Sequence, residues 1–465
     1  MALMQSFSGI RGIYGKDLTE SIAVRYAYSY FSFLKNKTKK NSLTIVIGAD
    51  TRPSGAKISD AVMGILDCSF IDVGIAPTPA IEFAVRHFNA DGGIIITASH
   101  NEPYWNGFKF LSNGGAVLGP KEMAPVISNF KINSLSDFHK VNDRRILQKN
   151  AEALKKYEEF LFEIIGMDSI RKIKSSGQKI VLDPNGGAGI IAKRILEHVG
   201  VDVTGINMRY GEFNRQVEPT EDSLVYLKNT MDENKADFAA GFDCDADRVE
   251  ILLNSGKLLS GNQILALIAG EMLSQTGDPK NKTVIVNDAT SNVVRGIVQK
   301  FGAKLKETQA GEINVVEEMQ KSKAILGGEG SSGGAIIPPS KCRDGILTLL
   351  MLLSIAAKKD KRMGDIADEL PKYYTLRKKM EFEAKKHDGI KNYLKNYYSK
   401  KGFEARESCG INGSLKVIAG KNSFAWFRAS KTEGNVFRII TDSDNKNEAE
   451  KLMEEAVGVF DKANE

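Results

Sequence analysis

Strand-like runs alternate with amphipathic helical segments along most of this chain, and this alternation constrains the fold more than any other feature. In the first series, LTIVIGAD at 43–50, SFIDVGIAPTP at 69–79 and DGGIIITA at 91–98 are separated by two helical segments. Similar series follow around QKIVLDPNGGAG at 178–189 and KTVIVNDAT at 282–290. A repeated β-α-β order predicts parallel strands that are joined by right-handed helical crossovers.

The last ninety or so residues have a different pattern, with a Lys-rich stretch, short strand-like runs and one closing helix. A chain of 465 residues holds about three domains on a soft prior, and two or four lie within its error. We therefore predict an α/β fold with three similar mixed-sheet α/β domains and a smaller C-terminal α+β domain around a central cleft. The predicted domains cover residues 1–150, 151–255, 256–370 and 371–465.

Charge and hydropathy argue against two classes of partner. The 64 Lys and Arg residues exceed the 58 Asp and Glu residues by only six, without a long basic block, so nucleic acid is not the expected partner. The longest apolar run, GILTLLMLLSIAA at 345–357, is too short to span a bilayer and predicts a buried helix. The four cysteines lie far apart without zinc-site spacing, which predicts free thiols, a reducing compartment and a cytoplasmic protein.

A polar cluster follows the buried strand at 92–97, and such strands bind ligands at their carboxyl ends. Ser99 could serve there as a covalent nucleophile or phosphate carrier, and Lys109 as a proton-transfer group or phosphate ligand. Two other interpretations stay open. Ser99 and Glu102 have the spacing of a helix capping box, and a single histidine such as His100 is more often an orienting or core residue.

The segment AAGFDCDADR delivers three carboxylates, Asp243, Asp245 and Asp247, directly after an apolar strand. Carboxylates at this spacing can converge on one hard cation. A calcium-binding EF-hand is excluded because Arg248 stands where that loop needs glycine, and Asn254 where it needs glutamate. A solvated acidic turn remains the alternative, although carboxylates so close repel one another unless a cation offsets them.

The segment ILGGEGSSGGAIIPP at 325–339 contains the G-x-G-x-x-G spacing of dinucleotide-binding proteins. An extended run that ends in two prolines follows, where that fold needs a helix. We instead predict a loop that binds a polyol through Glu329, Ser331 and Ser332, with a plain flexible turn as the alternative.

The segment FRASKTEGNVFR at 427–438 places cationic and hydroxyl groups around a turn. Arg428, Ser430, Lys431 and Thr432 are suited to bind a phosphate dianion. A charged hairpin tip is the alternative interpretation.

With these four loops in this order, the sequence resembles the α-D-phosphohexomutase superfamily, especially archaeal phosphomannomutase/phosphoglucomutase and phosphoglucosamine mutase proteins. The resemblance covers nearly the whole chain. It rests on SGIRG at 8–12, GADTRPSG at 48–55, APTPA, TASHN with NGFK, DPNGGAG, VEPTEDSL, FDCDADR, GGEGSSGG, RDG at 343–345 and RASKTEG. A serine loop, a DxDxDR loop and an RxSxTE loop are specific in combination.

The resemblance implies a mechanism in which Ser99, carried as phosphoserine, phosphorylates the free hydroxyl of a hexose monophosphate. A hexose 1,6-bisphosphate forms, reorients and returns its other phosphoryl group to Ser99; the same compound would act as an activator. One Mg²⁺ per chain would be held by the three aspartates and an oxygen on Ser99.

The resemblance also implies roles for the remaining site residues. Arg11 and Lys109 would serve the transfer site, with Lys109 as the general acid/base, while Arg248 supports the transferring phosphate and His100 completes the catalytic set. Among the expected substrate-binding residues, Glu329 and Ser331 would grip the sugar hydroxyls, and Thr308 and Gly311 would also bind the substrate. Arg428, Ser430, Lys431 and Thr432 would bind the phosphate that is not transferred.

The sequence departs from the family pattern at several positions. Glu102 replaces the proline of SHNP, Gly434 replaces the proline of TEP, and Cys244 stands between metal ligands where glycine is common. Asn262 stands where aspartate is usual, and the sugar loop lacks the histidine of the GEMSGH relatives.

The leading hypothesis is a mutase that acts on mannose or glucose phosphates. Phosphoglucosamine mutase is the enzymatic alternative, and a non-catalytic sugar-phosphate binding protein or a phosphatase that hydrolyses the Ser99 ester is less expected. A hexose phosphate is the predicted small-molecule partner, no membrane association is predicted, and a homo-oligomer is compatible with the sequence.

Overall fold

The structure is a computed structural model that describes residues 3–6, 9–132, 145–408, 413–430 and 435–465. The chain forms two compact units. The first comprises Met1–Leu259 with Gly333–Gly364, and the second comprises Ser260–Ser332 with Asp365–Glu465.

The first unit begins with a seven-stranded mixed sheet in the order β1-β2-β6-β5-β3-β4-β7. Its strands are β1 (Met4–Ser6), β2 (Gly9–Ile13), β3 (Thr44–Ala49), β4 (Ser69–Ile75), β5 (Gly92–Ile96), β6 (Trp105–Ser112) and β7 (Arg145–Gln148). The accompanying helices are α1 (Glu20–Thr38), α2 (Gly55–Met63), α3 (Thr78–His87), α4 (Pro120–Ile132), α5 (Asn150–Ile165) and α6 (Met167–Ser176).

Strand β5 lies at the centre of this sheet and is buried along its whole length. It pairs in parallel with β3 and antiparallel with β6. Strand β6 runs antiparallel to both of its neighbours, β5 and β2, because the chain turns back directly after β5, and the sheet is therefore mixed. This return places the start of β6 beside the polar cluster that follows β5.

A second sheet in the first unit has the order β12-β11-β10-β8-β9. It is built from β8 (Lys179–Asp183), β9 (Asp202–Gly205), β10 (Phe238–Phe242), β11 (Val249–Leu253) and β12 (Leu258–Leu259), with helices α7 (Ile191–His198), α8 (Glu221–Leu224) and α9 (Leu227–Asn234). Strand β8 is parallel to β9 and β10, whereas β11 runs antiparallel to β10. The turn between β10 and β11 is the segment that carries the three aspartates.

The segment 333–364 also belongs to the first unit and contains β16 (Ala335–Ile336) and α13 (Gly345–Lys359). Helix α13 carries the long apolar run and packs against α5 and α6. Asp344 is its N-cap, and the Asp344 side chain accepts the Leu347 N–H. The prediction of a buried helix here is confirmed. None of the helices in the described part of the chain is long and apolar enough to cross a bilayer.

The second unit contains one group of parallel strands and one antiparallel sheet. Its first part comprises α10 (Gly261–Ser274), β13 (Thr283–Asn287), α11 (Asn292–Lys300), β14 (Lys304–Thr308), α12 (Glu312–Ser322) and β15 (Leu326–Gly328). Strand β13 pairs in parallel with β14 and β15. After α14 (Met363–Asp368), where the chain enters the second unit for the last time, the C-terminal elements are β17 (Tyr374–Glu381), α15 (His387–Lys400), β18 (Glu404–Glu407), β19 (Leu415–Ile418), β20 (Phe424–Ala429), β21 (Val436–Ser443) and α16 (Lys446–Asn464).

The C-terminal sheet has the order β17-β21-β20-β19-β18 with antiparallel pairing throughout. Helices α15 and α16 cover one face, with Leu394, Tyr398, Phe437 and Phe460 in the core between them. The predicted α/β fold with mixed sheets and a C-terminal α+β part is confirmed. The four predicted domain boundaries remain a prediction.

Candidate active site

Ser99 lies in a tight turn after β5 and is almost fully buried, with 1% of its surface exposed. Its backbone is in the left-handed region at φ 51°, and its N–H donates to Thr97 Oγ1 at 2.8 Å. The chain turns here and does not start a helix, so the capping-box interpretation is wrong.

The three aspartates meet in one buried cluster on the turn after β10. Asp243, Asp245 and Asp247 each offer an oxygen, and these oxygens lie within 4.8 Å of one another. Ser99 Oγ donates to Asp243 Oδ2 at 3.3 Å. Segments that are separated by 144 residues therefore bring the serine and the acidic turn together.

The cluster fits a divalent cation by a further observation. Asp245 Oδ1 and Asp247 Oδ1 are buried and accept no hydrogen bond from the residues that the structure describes. Buried polar oxygens are normally satisfied, and carboxylate oxygens are the ligands that Mg²⁺ prefers. The residues present thus suit Mg²⁺.

Lys109 extends from β6 into the same cluster. Its Nζ lies 2.8 Å from Asp245 Oδ2 and 3.1 Å from Asp247 Oδ2. Arg343 Nη2 lies 3.2 Å from Asp247 Oδ2, and the Arg248 backbone N–H donates to Asp243 Oδ1 at 3.2 Å. Two cationic side chains and one backbone N–H therefore face the carboxylates at close range.

The neighbouring charges and burial shift the pKa values of two of these carboxylates in opposite directions. Burial, together with Asp247 and Asp245, raises the pKa of Asp243 well above its usual range. Burial also acts to raise the pKa of Asp247, but Arg343 and Lys109 overcome this effect and lower it. Carboxylates whose pKa values are shifted strongly by burial and by neighbouring charges are common at functional sites.

Arg11 and His100 lie next to this cluster. Burial lowers the pKa of Arg11 to about 10, and its Nη1 donates to Asn101 Oδ1 at 2.9 Å. The charge of Arg248, burial and the charge of Arg11 lower the pKa of His100, so its imidazole is neutral. Its Nδ1 is buried and has no hydrogen-bond partner among the described residues.

Sequence reasoning missed several residues that hold these loops. Thr78 donates its hydroxyl to Asp245 Oδ2 at 2.7 Å and its N–H to Asp245 O at 2.9 Å. Arg52 contacts the backbone of the serine loop, and Arg343 follows the sugar loop in sequence. Thr78 and Arg52 lie just after β4 and β3, at the edge of the sheet where Ser99 follows β5, so the strand-end rule could have found them.

Two residues that depart from the family pattern, Glu102 and Cys244, have contacts within the first unit. Glu102 Oε1 accepts the Val217 N–H at 3.4 Å. Cys244 Sγ lies 3.7 Å from Thr51 Oγ1, and burial raises the pKa of the Cys244 thiol well above its usual range. Cys68, Cys244 and Cys342 are free, whereas Cys409 and Gly434 lie outside the described residues.

In the second unit, Glu329 follows β15 and is held from two sides. Its Oε1 accepts the Gly311 N–H at 2.8 Å and the Asn287 Nδ2 at 2.8 Å. Thr308 ends β14, and its Oγ1 donates to Gln309 O at 3.3 Å. Glu329 thus contacts Gly311 directly, and Thr308 pairs with Asn287 in the register of β13 and β14. Sequence reasoning missed Asn287.

The rest of the sugar loop passes close to the start of α10. A Cβ on Gly330 would lie 1.7 Å from Asn262 Oδ1, and one on Gly261 would lie 2.5 Å from the Ser332 backbone. Arg377 Nη2 donates to Gly330 O at 3.0 Å. This tight packing leaves Ser331 exposed at the tip of the loop.

The residues of the predicted phosphate loop are partly described. Arg428 lies on β20, where burial lowers its pKa and its Nη1 donates to Ala310 O at 3.4 Å. The Ser430 N–H donates to Val436 O at 2.7 Å. Lys431 and Thr432 lie outside the described residues.

The site residues therefore fall into two described groups. The first unit holds Ser99, His100, Lys109, Arg11, Arg248 and the three aspartates; the second holds Glu329, Ser331, Thr308, Gly311, Arg428 and Ser430.

Comparisons with known proteins identify relatives of this chain along nearly its whole length. Models of the phosphoglucomutase/phosphomannomutase family match α/β/α domain I at residues 4–136, domain II at 155–256 and domain III at 260–374. A phosphoglucomutase/phosphomannomutase from Thermococcus kodakarensis is 32% identical over 463 residues, which cover 98% of each chain. A phosphoglucosamine mutase from Methanococcus maripaludis is 30% identical over 462 residues, which cover 97% of each chain.

Solved structures share the fold. The crystal structure of a phosphoglucomutase/phosphomannomutase family protein from Burkholderia thailandensis superposes with a TM-score of 0.79 at 20% identity, covering 99% of this chain and 98% of that one.

A buried serine beside a carboxylate cluster is suited to phosphoryl transfer with a divalent cation, and the matches make the class specific. The chain belongs to the phosphoglucomutase/phosphomannomutase family of the α-D-phosphohexomutase superfamily. It is an intramolecular phosphotransferase of the phosphohexomutase class, and this family uses Mg²⁺.

Proposed function

We propose that this enzyme interconverts the 1-phosphate and 6-phosphate of a hexose, with mannose and glucose phosphates as substrates and Ser99 as the phosphoryl carrier. The contact between Ser99 Oγ and Asp243 Oδ2 at 3.3 Å carries the proposal. It places a buried hydroxyl against the buried acidic cluster within one compact unit.

At the transfer site, the residues would stabilise the charge on the moving phosphoryl group and carry the proton of the sugar hydroxyl. A Mg²⁺ ion held by the three aspartates and an oxygen on Ser99 would supply neutralisation of the charge that develops on the moving phosphoryl group. Lys109, within hydrogen-bond distance of Asp245 and Asp247, would shuttle the proton of the sugar hydroxyl. Arg11 and Arg248 would hold phosphoryl oxygens.

His100 would act as a neutral group, because the neighbouring arginines lower its pKa. A neutral imidazole can donate or accept one hydrogen bond without adding charge. We therefore assign it a hydrogen bond to the phosphoryl group or the reacting hydroxyl.

The groups in the second unit would bind the remainder of the substrate. Glu329, held by Gly311 and Asn287, would accept hydrogen bonds from sugar hydroxyls together with Ser331 and Thr308. Arg428, Ser430, Lys431 and Thr432 would bind the phosphate that is not transferred. A fixed phosphate anchor and a sugar grip that tolerates two orientations allow the hexose 1,6-bisphosphate to return either phosphoryl group.

Phosphoglucosamine mutase activity is the second candidate. The Methanococcus maripaludis relative of that name is 30% identical, close to the 32% of the phosphoglucomutase/phosphomannomutase from Thermococcus kodakarensis.

We also propose that the protein is cytoplasmic. The free cysteines Cys68, Cys244 and Cys342 support this location, because thiols stay reduced there.

Ser99→Ala tests the carrier role, with Ser112→Ala as the control because Ser112 lies at the far end of β6. Each protein is assayed with Mg²⁺, a trace of glucose 1,6-bisphosphate, and the 1-phosphates of glucose, mannose and glucosamine in parallel. We expect Ser99→Ala to lose turnover by about 10³-fold or more while sugar-phosphate binding remains. Unchanged mutase activity would refute the assignment, and net phosphate release by the wild type would indicate a phosphatase.

A further inference from the structure

We propose that Arg52 is a positioning residue for the phosphoryl-carrying serine: its buried guanidinium fixes the backbone of residues 99–105 so that Ser99 faces the acidic cluster. This inference rests on the proposed role of Ser99. Arg52 lies after β3 and is 2% exposed.

The guanidinium of Arg52 donates to four backbone oxygens of one loop. Its Nη2 contacts Ser99 O at 2.6 Å and Asn101 O at 2.5 Å. Its Nη1 contacts Glu102 O at 2.6 Å and Trp105 O at 3.1 Å. One side chain thus joins the start and the end of the turn that connects β5 to β6.

The fifth guanidinium donor is used by Asp50. Arg52 Nε donates to Asp50 Oδ2 at 3.0 Å, and the Arg52 N–H donates to Asp50 Oδ1 at 3.0 Å. The side chains of both residues are fully buried. All five donors of the guanidinium have acceptors in fixed directions, an arrangement that the single ammonium of lysine cannot reproduce.

The loop needs such a support for two reasons. Ser99 has a left-handed backbone, which costs a non-glycine residue free energy and persists only where the surroundings enforce it. Four carbonyl oxygens that converge on one point also repel one another unless a cation lies between them. Without Arg52 the loop would relax, and the 3.3 Å approach of Ser99 to Asp243 would be lost.

Arg52→Lys and Arg52→Ala test the role. Phosphoryl transfer to the protein is followed with glucose 1,6-bisphosphate labelled in its phosphates, and kcat and KM are measured separately. We expect both variants to transfer about 100-fold more slowly, since a displacement of the order of 1 Å has this effect, with KM nearly unchanged. Guanidinium ion added at millimolar concentration should partly restore Arg52→Ala.

Tyr30→Phe provides a matched control for the loss of buried hydrogen bonds. The Tyr30 hydroxyl bonds Gly93 N–H and Leu111 O at the opposite end of β5, in the same sheet. We expect this variant to melt at a lower temperature and to accept phosphate at the wild-type rate. Hydrogen exchange should rise selectively at residues 99–105 in Arg52→Lys and should not rise there in Tyr30→Phe.

Three outcomes decide between the hypotheses. Transfer at the wild-type rate in Arg52→Lys would overturn the inference, as would equal slowing in Tyr30→Phe at equal loss of melting temperature. If the wild type forms no phosphoserine, the proposed function fails, and hydrogen exchange alone decides the role of Arg52. Unchanged exchange at residues 99–105 in Arg52→Lys would then refute it.

Discussion

Asn287→Asp is a sharp test of the sugar loop because it replaces a donor by an acceptor at nearly constant volume. Asn287 Nδ2 lies 2.8 Å from Glu329 Oε1, whereas its Oδ1 accepts Thr290 Oγ1 at 2.8 Å and the Ala289 N–H at 3.2 Å. The amide orientation is therefore fixed by its partners. The substitution sets two carboxylates against each other where a hydrogen bond held Glu329 in place.

The repulsion can be estimated from the geometry. Two unit charges about 4 Å apart at an effective dielectric constant of about 20 interact by about 4 kcal/mol. If Glu329 must keep its position to bind the sugar, this energy corresponds to an increase in KM of about 10³-fold, and relaxation of the loop reduces it to about 10²-fold. Acidification should relieve the repulsion, because two neighbouring carboxylates can share one proton.

The assay compares KM for glucose 1-phosphate in the wild type, Asn287→Asp and Asn287→Ala at about pH 6 and about pH 8.5. The alanine variant loses the hydrogen bond without adding charge. We expect the aspartate variant to have the higher KM at high pH and to approach the alanine variant at low pH. A wild-type KM for Asn287→Asp at both pH values would refute the role of Glu329.

Three further predictions follow from the described contacts. Thr78→Val removes the hydroxyl that orients Asp245, so the half-saturating Mg²⁺ concentration should rise roughly 10- to 100-fold, and an unchanged Mg²⁺ titration would contradict this. Gly330→Ala places a Cβ 1.7 Å from an amide oxygen and should raise KM at least about tenfold; Gly458→Ala, with open space around the new methyl group, should not. Burial raises the pKa of Asp344 to about 6, so the folded state binds this proton more tightly than the unfolded state does, and the stability this provides is lost as the pH rises from about 4 to about 6. In urea unfolding, the free energy of unfolding of Asp344→Asn should therefore rise by about 3 kcal/mol relative to that of the wild type over this range. A difference in stability that does not vary with pH would contradict the last prediction.

The sequence pattern predicted those elements whose character depends on local composition. Strands β3, β5, β8 and β10 are apolar runs that end in polar turns, and α13 is an apolar run of helical length between Asp344 and a Lys pair. Strand β6 was not predicted, because it carries Asn106 and Lys109 in a fully buried setting. Such side chains are tolerated there only because tertiary partners bind them.

The candidate site divides in the same way. Ser99 and the aspartates could be predicted because their residue types carry chemistry and their loops follow strands. The strand-end rule makes Arg52 a candidate, but the partners of Arg52 and Asn287 could not be predicted, since each acts through a residue that is distant in sequence, and arginine or asparagine at the end of a strand is also compatible with solvent exposure. Only the folded chain shows that Arg52 faces four carbonyl oxygens and that Asn287 faces Glu329.

The chain passes between its two compact units three times, because the segment 333–364 returns to the first one. During synthesis, the apolar helix α13 reaches its place only after residue 364 has left the ribosome, when most of the polypeptide has been made. Until then, the apolar surface of the first unit that receives this helix is exposed and can bind apolar segments of other chains. Truncation at residue 259 should therefore yield an aggregation-prone fragment, so the unit that holds Ser99 and the aspartates cannot be obtained by a single cut.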